Sequence, residues 1–147
     1  IDTMARLNRA ATEAMSDIEV HACTDITGFG LIGHLLEMMQ GSQNAAIIEN
    51  RNMPFLPEVD SFAAANTIPG GTKDNHLYTQ NSVSYGSDIS EIRQLVLNDA
   101  QTSGGLLISL NEKCADKLLK ALNQKGVKES RIIGKVTARA SSIISVI

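Results

Sequence analysis

Apolar positions along the chain change period several times, and each change marks an element. Met4, Leu7, Ala11 and Met15 recur at helical spacing, which predicts a helix over 3–16 with Asp2 or Thr3 as its N-cap. Weak alternation over 17–23, with Ile18, Val20 and Cys23, predicts a short strand. Leu31, Leu35 and Met38 give a helix over 31–40, which Gly41-Ser42 should stop. A buried-type strand follows at 45–48. Pro54 and Pro57 then break the chain before a small helix at 58–65. Residues 68–72 look like a loop, and 73–85 are too polar to show a period. A helix is expected at 90–97 and a strand at 104–110. Asn111 should cap a strong helix over 112–124 that ends at Gly126. Two closing strands are expected at 131–137 and 142–147.

Helices and strands alternate irregularly, which predicts an α+β fold: a layered mixed β-sheet with helices on its faces. The 147 residues, 43% apolar and 20% charged, suit one domain over 1–147. With only 3% aromatic residues and no Trp, its core has to be aliphatic. A net charge of −3 without a dense basic run gives no reason to expect nucleic acid or an anionic membrane as a partner. No apolar run is long enough to span a bilayer, and the start lacks the basic and apolar regions of a signal peptide. The chain opens on Ile rather than Met, as a piece of a longer protein would. Cys23 and Cys114 are far apart and form no CxxC pair. They are expected to be reduced, small core residues of a cytoplasmic protein, with no structural zinc.

The chemistry is concentrated in three glycine-rich segments. Thr24-Asp25-Ile26-Thr27-Gly28-Phe29-Gly30-Leu31-Ile32-Gly33-His34 joins a strand to a helix. Glycines there let backbone approach a ligand, helix-start N–H groups favour phosphate, and Asp25 offers a hard oxygen to Mg²⁺. The plain alternative is a tight turn with Asp25 capping the helix. Ile68-Pro69-Gly70-Gly71-Thr72 alone is a turn. Asn98-Asp99-Ala100-Gln101-Thr102-Ser103-Gly104-Gly105 either cradles a ligand or simply turns the chain.

Gly28-Phe29-Gly30-Leu31-Ile32-Gly33 is also a literal GxGxxG, with Glu49 where a dinucleotide fold keeps its ribose-binding acid. An NAD(P)-binding module is therefore the alternative reading. Against it, the strand leading in is polar at its end, and Asp25 would repel a pyrophosphate. Nor does regular strand–helix alternation continue beyond Glu49. A third option is an interaction domain in which the glycines only build corners.

Taken together, the segments resemble one family. The run 24–38 resembles the TD-[VI]-TGFGL-x-GH-xx-EM signature of selenophosphate synthetases. Pro69-Gly70-Gly71-Thr72-Lys73-Asp74-Asn75 resembles their PGGT segment, and 99–107 resembles their D-[AP]-QTSGGLL segment. Ile132-Ile133-Gly134-Lys135-Val136 resembles their closing strand. The resemblance implies the carboxy-terminal domain of the aminoimidazole-ribotide-synthetase superfamily. It further implies a homodimeric enzyme that turns ATP, selenide and water into selenophosphate, AMP and phosphate. Asp25 would be a Mg²⁺ ligand, with Thr27, Gly28 and Gly30 lining the same corner and Thr102 and Ser103 as weaker nucleotide contacts. The selenocysteine or cysteine, its lysine, the nucleotide loop and the other metal-binding aspartates would belong to an amino-terminal partner domain, so this chain alone is expected to be inactive. His34 and Glu37 have no assigned role. A packed or capping histidine and a simple pairing carboxylate explain them equally well.

Overall fold

The computed structural model describes residues 2–139 and 141–147, with the side chain of Asp2 outside the description. The chain runs α1 (Asp2–Ala5), α2 (Arg9–Met15), β1 (Val20–Asp25), α3 (Gly30–Ser42), β2 (Ala45–Ile48), α4 (Val59–Ala64) and α5 (Gly70–Thr79). It continues through β3 (Val83–Tyr85), α6 (Glu91–Leu97), β4 (Leu106–Leu110), α7 (Glu112–Gln124), β5 (Gly134–Thr137) and β6 (Ile144–Val146). The α+β expectation holds, with one refinement: the strands form two sheets. β1 and β4 make an antiparallel pair, while β3-β6-β2-β5 make a mixed sheet, parallel except for β5.

Two apolar clusters explain this division. The larger sets Ile32, Leu35, Leu36 and Met39 of α3 against Ala46 and Ile48 of β2 and Ile144 and Val146 of β6. Each fully buried Leu or Ile contributes about 1.5–3 kcal/mol by leaving water. The smaller packs Ala11 and Ala14 of α2 on Leu118 and Leu122 of α7, over Leu106, Ile108 and Leu110 of β4. The four-residue spacing of Leu118 and Leu122 is what gives α7 one apolar face. Asn111 caps α7 by accepting from the Lys113 backbone N–H at 3.0 Å, and Gly126 follows with φ +84°.

Several boundaries differ from those the pattern predicts. The first helix is broken over 6–8, where the Asn8 side chain donates to the Gly104 carbonyl at 3.2 Å and its own carbonyl starts α2. Thr3 lies inside α1 and does not cap it; Asp2 opens that helix, and its side chain, the proposed cap, lies outside the description. Gly41 and Ser42 do not stop α3. Gln43 does, at φ 56°, with its N–H on the Gln40 carbonyl and that of Asn44 on Met39, which satisfies the last turn. Residues 70–79, expected to be loop and unassigned chain, are helix α5. Cys23 is exposed and Cys114 half-buried, so neither is the core residue expected. No helix among the described residues is long and apolar enough to cross a membrane.

Candidate functional site

The three glycine-rich segments converge at one junction. The Ile26 N–H donates to the Gly105 carbonyl at 2.9 Å, the Gly104 N–H to Ile26 at 3.0 Å and the Gln101 N–H to Thr27 at 2.9 Å. The first and third segments are thus bonded backbone to backbone. Gly104 allows this because a Cβ there would lie 2.3 Å from the Ile26 carbonyl oxygen. Gly30, at φ +66°, allows it too, since its Cβ would sit 2.7 Å from the Asn98 carbonyl.

The second segment joins through the inward face of α5. Asn75 Nδ2 donates to the carbonyls of Gly28 at 2.9 Å and Asn98 at 3.1 Å. The Thr72 hydroxyl donates to Asp99 Oδ1. The Thr79 hydroxyl donates to Asn98 Oδ1 at 2.9 Å. Asn98 is fully buried and satisfied: its amide donates to the Gln94 carbonyl at 2.8 Å and the Tyr85 hydroxyl at 3.0 Å. Burial raises the Tyr85 pKa above the ordinary phenol value, with the Asn98 contact opposing.

Asp25 lies at the edge of this junction. It ends β1 directly opposite Leu106 and is exposed. It borders an open groove of about 510 Å³ shared with Asn8, Thr12, Met15, Cys23, Thr24 and Leu106. Asp25 enters no salt bridge among the described residues. It does not cap α3, whose N-cap position is Phe29 without a side-chain bond. Cys23 shares its strand face, and partial desolvation, then the Asp25 charge, hold that thiol above its ordinary pKa. A free carboxylate on an open groove fits a hard divalent cation. However, no group of three His, Cys, Asp or Glu side chains gathers anywhere among the described residues. Among the described residues Asp25 therefore belongs to no self-contained metal centre.

The other expected residues separate. Gly28 faces open space, whereas Gly33 is filled by the Phe29 Cβ, 2.7 Å from where its own would be. Thr27 is half-buried and bonds to His34, its Oγ1 3.1 Å from Nε2, while His34 Nδ1 lies 3.2 Å from Glu37 Oε2. Thr102 and Ser103 are exposed on the loop beside the junction. Glu49 is bonded to Asn52 at 2.8 Å and Arg51 at 3.2 Å, on a separate groove with Asp88 and Ile147. A dinucleotide fold needs the strands before and after its glycine loop side by side in one parallel sheet. Here β1 and β2 belong to different sheets, and two of the three glycines serve packing.

Thr72, Asn75, Asn98 and Asp99 lie inside the quoted segments, but pattern reading assigns none of them a role of its own. Their signal is polar, not apolar: Thr72, Asn75, His76 and Thr79 recur at helical spacing and mark one face of α5.

Comparison with known proteins agrees with this architecture. The family described as AIR synthase related protein, C-terminal domain, matches residues 2–147. The chain is 43% identical over 140 residues to the selenide, water dikinase of Myxococcus xanthus, spanning 94% of this chain and 40% of that protein. The selenide, water dikinase of Aliarcobacter butzleri is 40% identical over 141 residues, spanning 96% of this chain and 41% of its own length. That of Clostridioides difficile is 37% identical over all 147 residues, which amount to 42% of its length. This chain belongs to the AIR synthase related protein C-terminal domain family.

Proposed function

We infer that this chain is the carboxy-terminal domain of a selenide, water dikinase, which makes selenophosphate, AMP and phosphate from ATP, selenide and water. The observation that carries the reading is the convergence of all three motifs on one junction beside the unpaired carboxylate of Asp25. Similarity to relatives of that name over nearly the whole chain supports it. Asp25 would supply one oxygen to a Mg²⁺ ion whose remaining ligands come from ATP, water and an amino-terminal partner domain. That cation would neutralise phosphoryl oxygens as the β- and γ-phosphates are released. Gly28, open to solvent, lets backbone approach the nucleotide. Thr102 and Ser103 lie within the same loop cluster as weaker contacts.

With one metal ligand and few nucleotide contacts, the chain alone should release no AMP. The test is reconstitution with the amino-terminal part of a selenide, water dikinase, following selenide-dependent AMP formation anaerobically. Activity only in the mixture is expected. Robust AMP release by this chain alone, or a folded mixture without activity, would contradict the reading.

A further inference from the structure

Asn75 ties two loops together through one side-chain amide. Its Nδ2 donates to the Gly28 carbonyl at 2.9 Å and to the Asn98 carbonyl at 3.1 Å. Gly28 is exposed, so water would satisfy its carbonyl and burial does not explain the first bond. What that bond fixes is direction. Residues 27–30 form a turn closed by the Gly30 N–H on the Thr27 carbonyl at 3.0 Å. Phe29, at φ −87° and ψ 1°, has the third-residue angles of a type I turn, so the Gly28–Phe29 peptide is its middle unit. A trans peptide carries its C=O and N–H on opposite sides. A Gly28 carbonyl held toward α5 therefore turns the Phe29 N–H away from it. Among the described residues that N–H donates to no backbone carbonyl.

We propose that Asn75 is a positioning residue for the nucleotide: it holds the Gly28–Phe29 peptide so that the loop after β1 meets a phosphate oxygen with an N–H and not a carbonyl. This deepens, and rests on, the reading in which Gly28 lets backbone approach ATP. Backbone N–H groups attract phosphate oxygens, whereas a carbonyl tilted toward them repels. Phe29 already blocks full reversal of the peptide, because the flipped turn needs φ > 0 at its third residue, which glycine tolerates and Phe does not. Asn75 removes the smaller tilts that the turn still allows. Its second bond, to Asn98, sets that peptide against the loop at 98–105. Thr72 and Thr79, bonded to Asp99 and Asn98 from the same face of α5, hold the helix in place for both bonds.

Two measurements test this. In the chain alone, Asn75→Ala should lower the ¹⁵N order parameters of residues 28 and 29 and leave those of 104 and 105 unchanged. Unchanged values at 28 and 29 overturn the proposal. In the mixture with the amino-terminal part of a selenide, water dikinase, ATP is varied at saturating selenide. Asn75→Ala should raise the KM for ATP about three- to tenfold and leave kcat within about twofold of wild type, as loss of a contact made equally in the ground and transition states does. A merely structural role would shrink the folded fraction, so kcat would fall at unchanged KM. That result, or wild-type kinetics, overturns the role of Asn75 while an active wild-type mixture leaves the selenide, water dikinase reading standing. A folded wild-type mixture that makes no AMP removes that reading and the proposal with it. Should Asn75→Ala not fold, Asn75→Ser, which keeps one donor on a shorter stem, decides: a raised KM for ATP is expected, and wild-type kinetics overturn the proposal.

Discussion

β1 and β2 flank the same helix and differ in almost every respect. β2, Ala45–Ile48, is buried at three of its four positions and bonded on both sides, by β5 and β6. β1, Val20–Asp25, has one partner strand and leaves His21, Ala22, Cys23 and Asp25 exposed. One strand is made of Ala and Ile, the other of Val, His, Ala, Cys, Thr and Asp. Packing accounts for the first. It does not account for the second, because an exposed acid at a strand end adds nothing to a core. Helix α3 therefore has two duties. Its body seals the mixed sheet, and its entry fixes the loop junction that holds Asp25 over a groove.

The contrast breaks first, and by the largest amount, at the core. Leu36→Ala should cost about 2–5 kcal/mol, read from urea unfolding. A cost as small as that of a β1 surface substitution would erase the distinction. Next comes the pair of glycines two residues apart. Gly30→Ala forces a Cβ against the Asn98 and Asp99 backbone at positive φ and should cost about 2 kcal/mol or more. Gly28→Ala meets open space and should stay within about 0.5 kcal/mol of wild type, while weakening nucleotide binding in the reconstituted enzyme.

A smaller effect sharpens the β1 side. Desolvation and then Asp25 raise the Cys23 pKa, so Asp25→Asn should lower it while desolvation persists. Alkylation of Cys23 at fixed, mildly alkaline pH should then quicken about two- to threefold, followed by mass spectrometry. An unchanged rate would place the two side chains out of electrostatic reach.

The smallest effect lies on the outer surface. Glu13 bonds Arg9 at 2.8 Å and Lys125 of the α7 end at 3.1 Å, and these hold its carboxyl below the ordinary value. Its contribution is present above the unfolded-state value and fades as pH falls through the lower folded one. Glu13→Gln should thus narrow the stability gap between neutral and acid pH slightly, as seen in melting temperature. The mutant should converge with wild type once the carboxyl is protonated in both states.

Elements with an apolar rhythm were legible from sequence: the body of α3, β2, α6, and α7 with its Asn111 cap. Helix α5 was not, because its inward face bonds to Asn98 and Asp99 instead of packing on an apolar core. Gly70 and Gly71 read as loop residues, although they sit in the first turn of that helix behind Pro69, where the backbone is least constrained. The break at 6–8 depends on Gly104, nearly a hundred residues away, and no local pattern carries it. Asp25 was legible through its motif. Its freedom from capping and pairing needed the folded groove. Cys23 was misplaced by residue type, since cysteine is usually buried, whereas His21 and Asp25, two positions to either side, are polar and exposed.

The most direct test of the central claim, that the end of β1 serves chemistry and not folding, is Asp25→Asn measured twice in the complex reconstituted with an amino-terminal partner. Melting temperature should match wild type, while selenide-dependent AMP formation should fall by at least about a hundredfold. A variant that loses stability and activity together, or keeps both, would contradict the account.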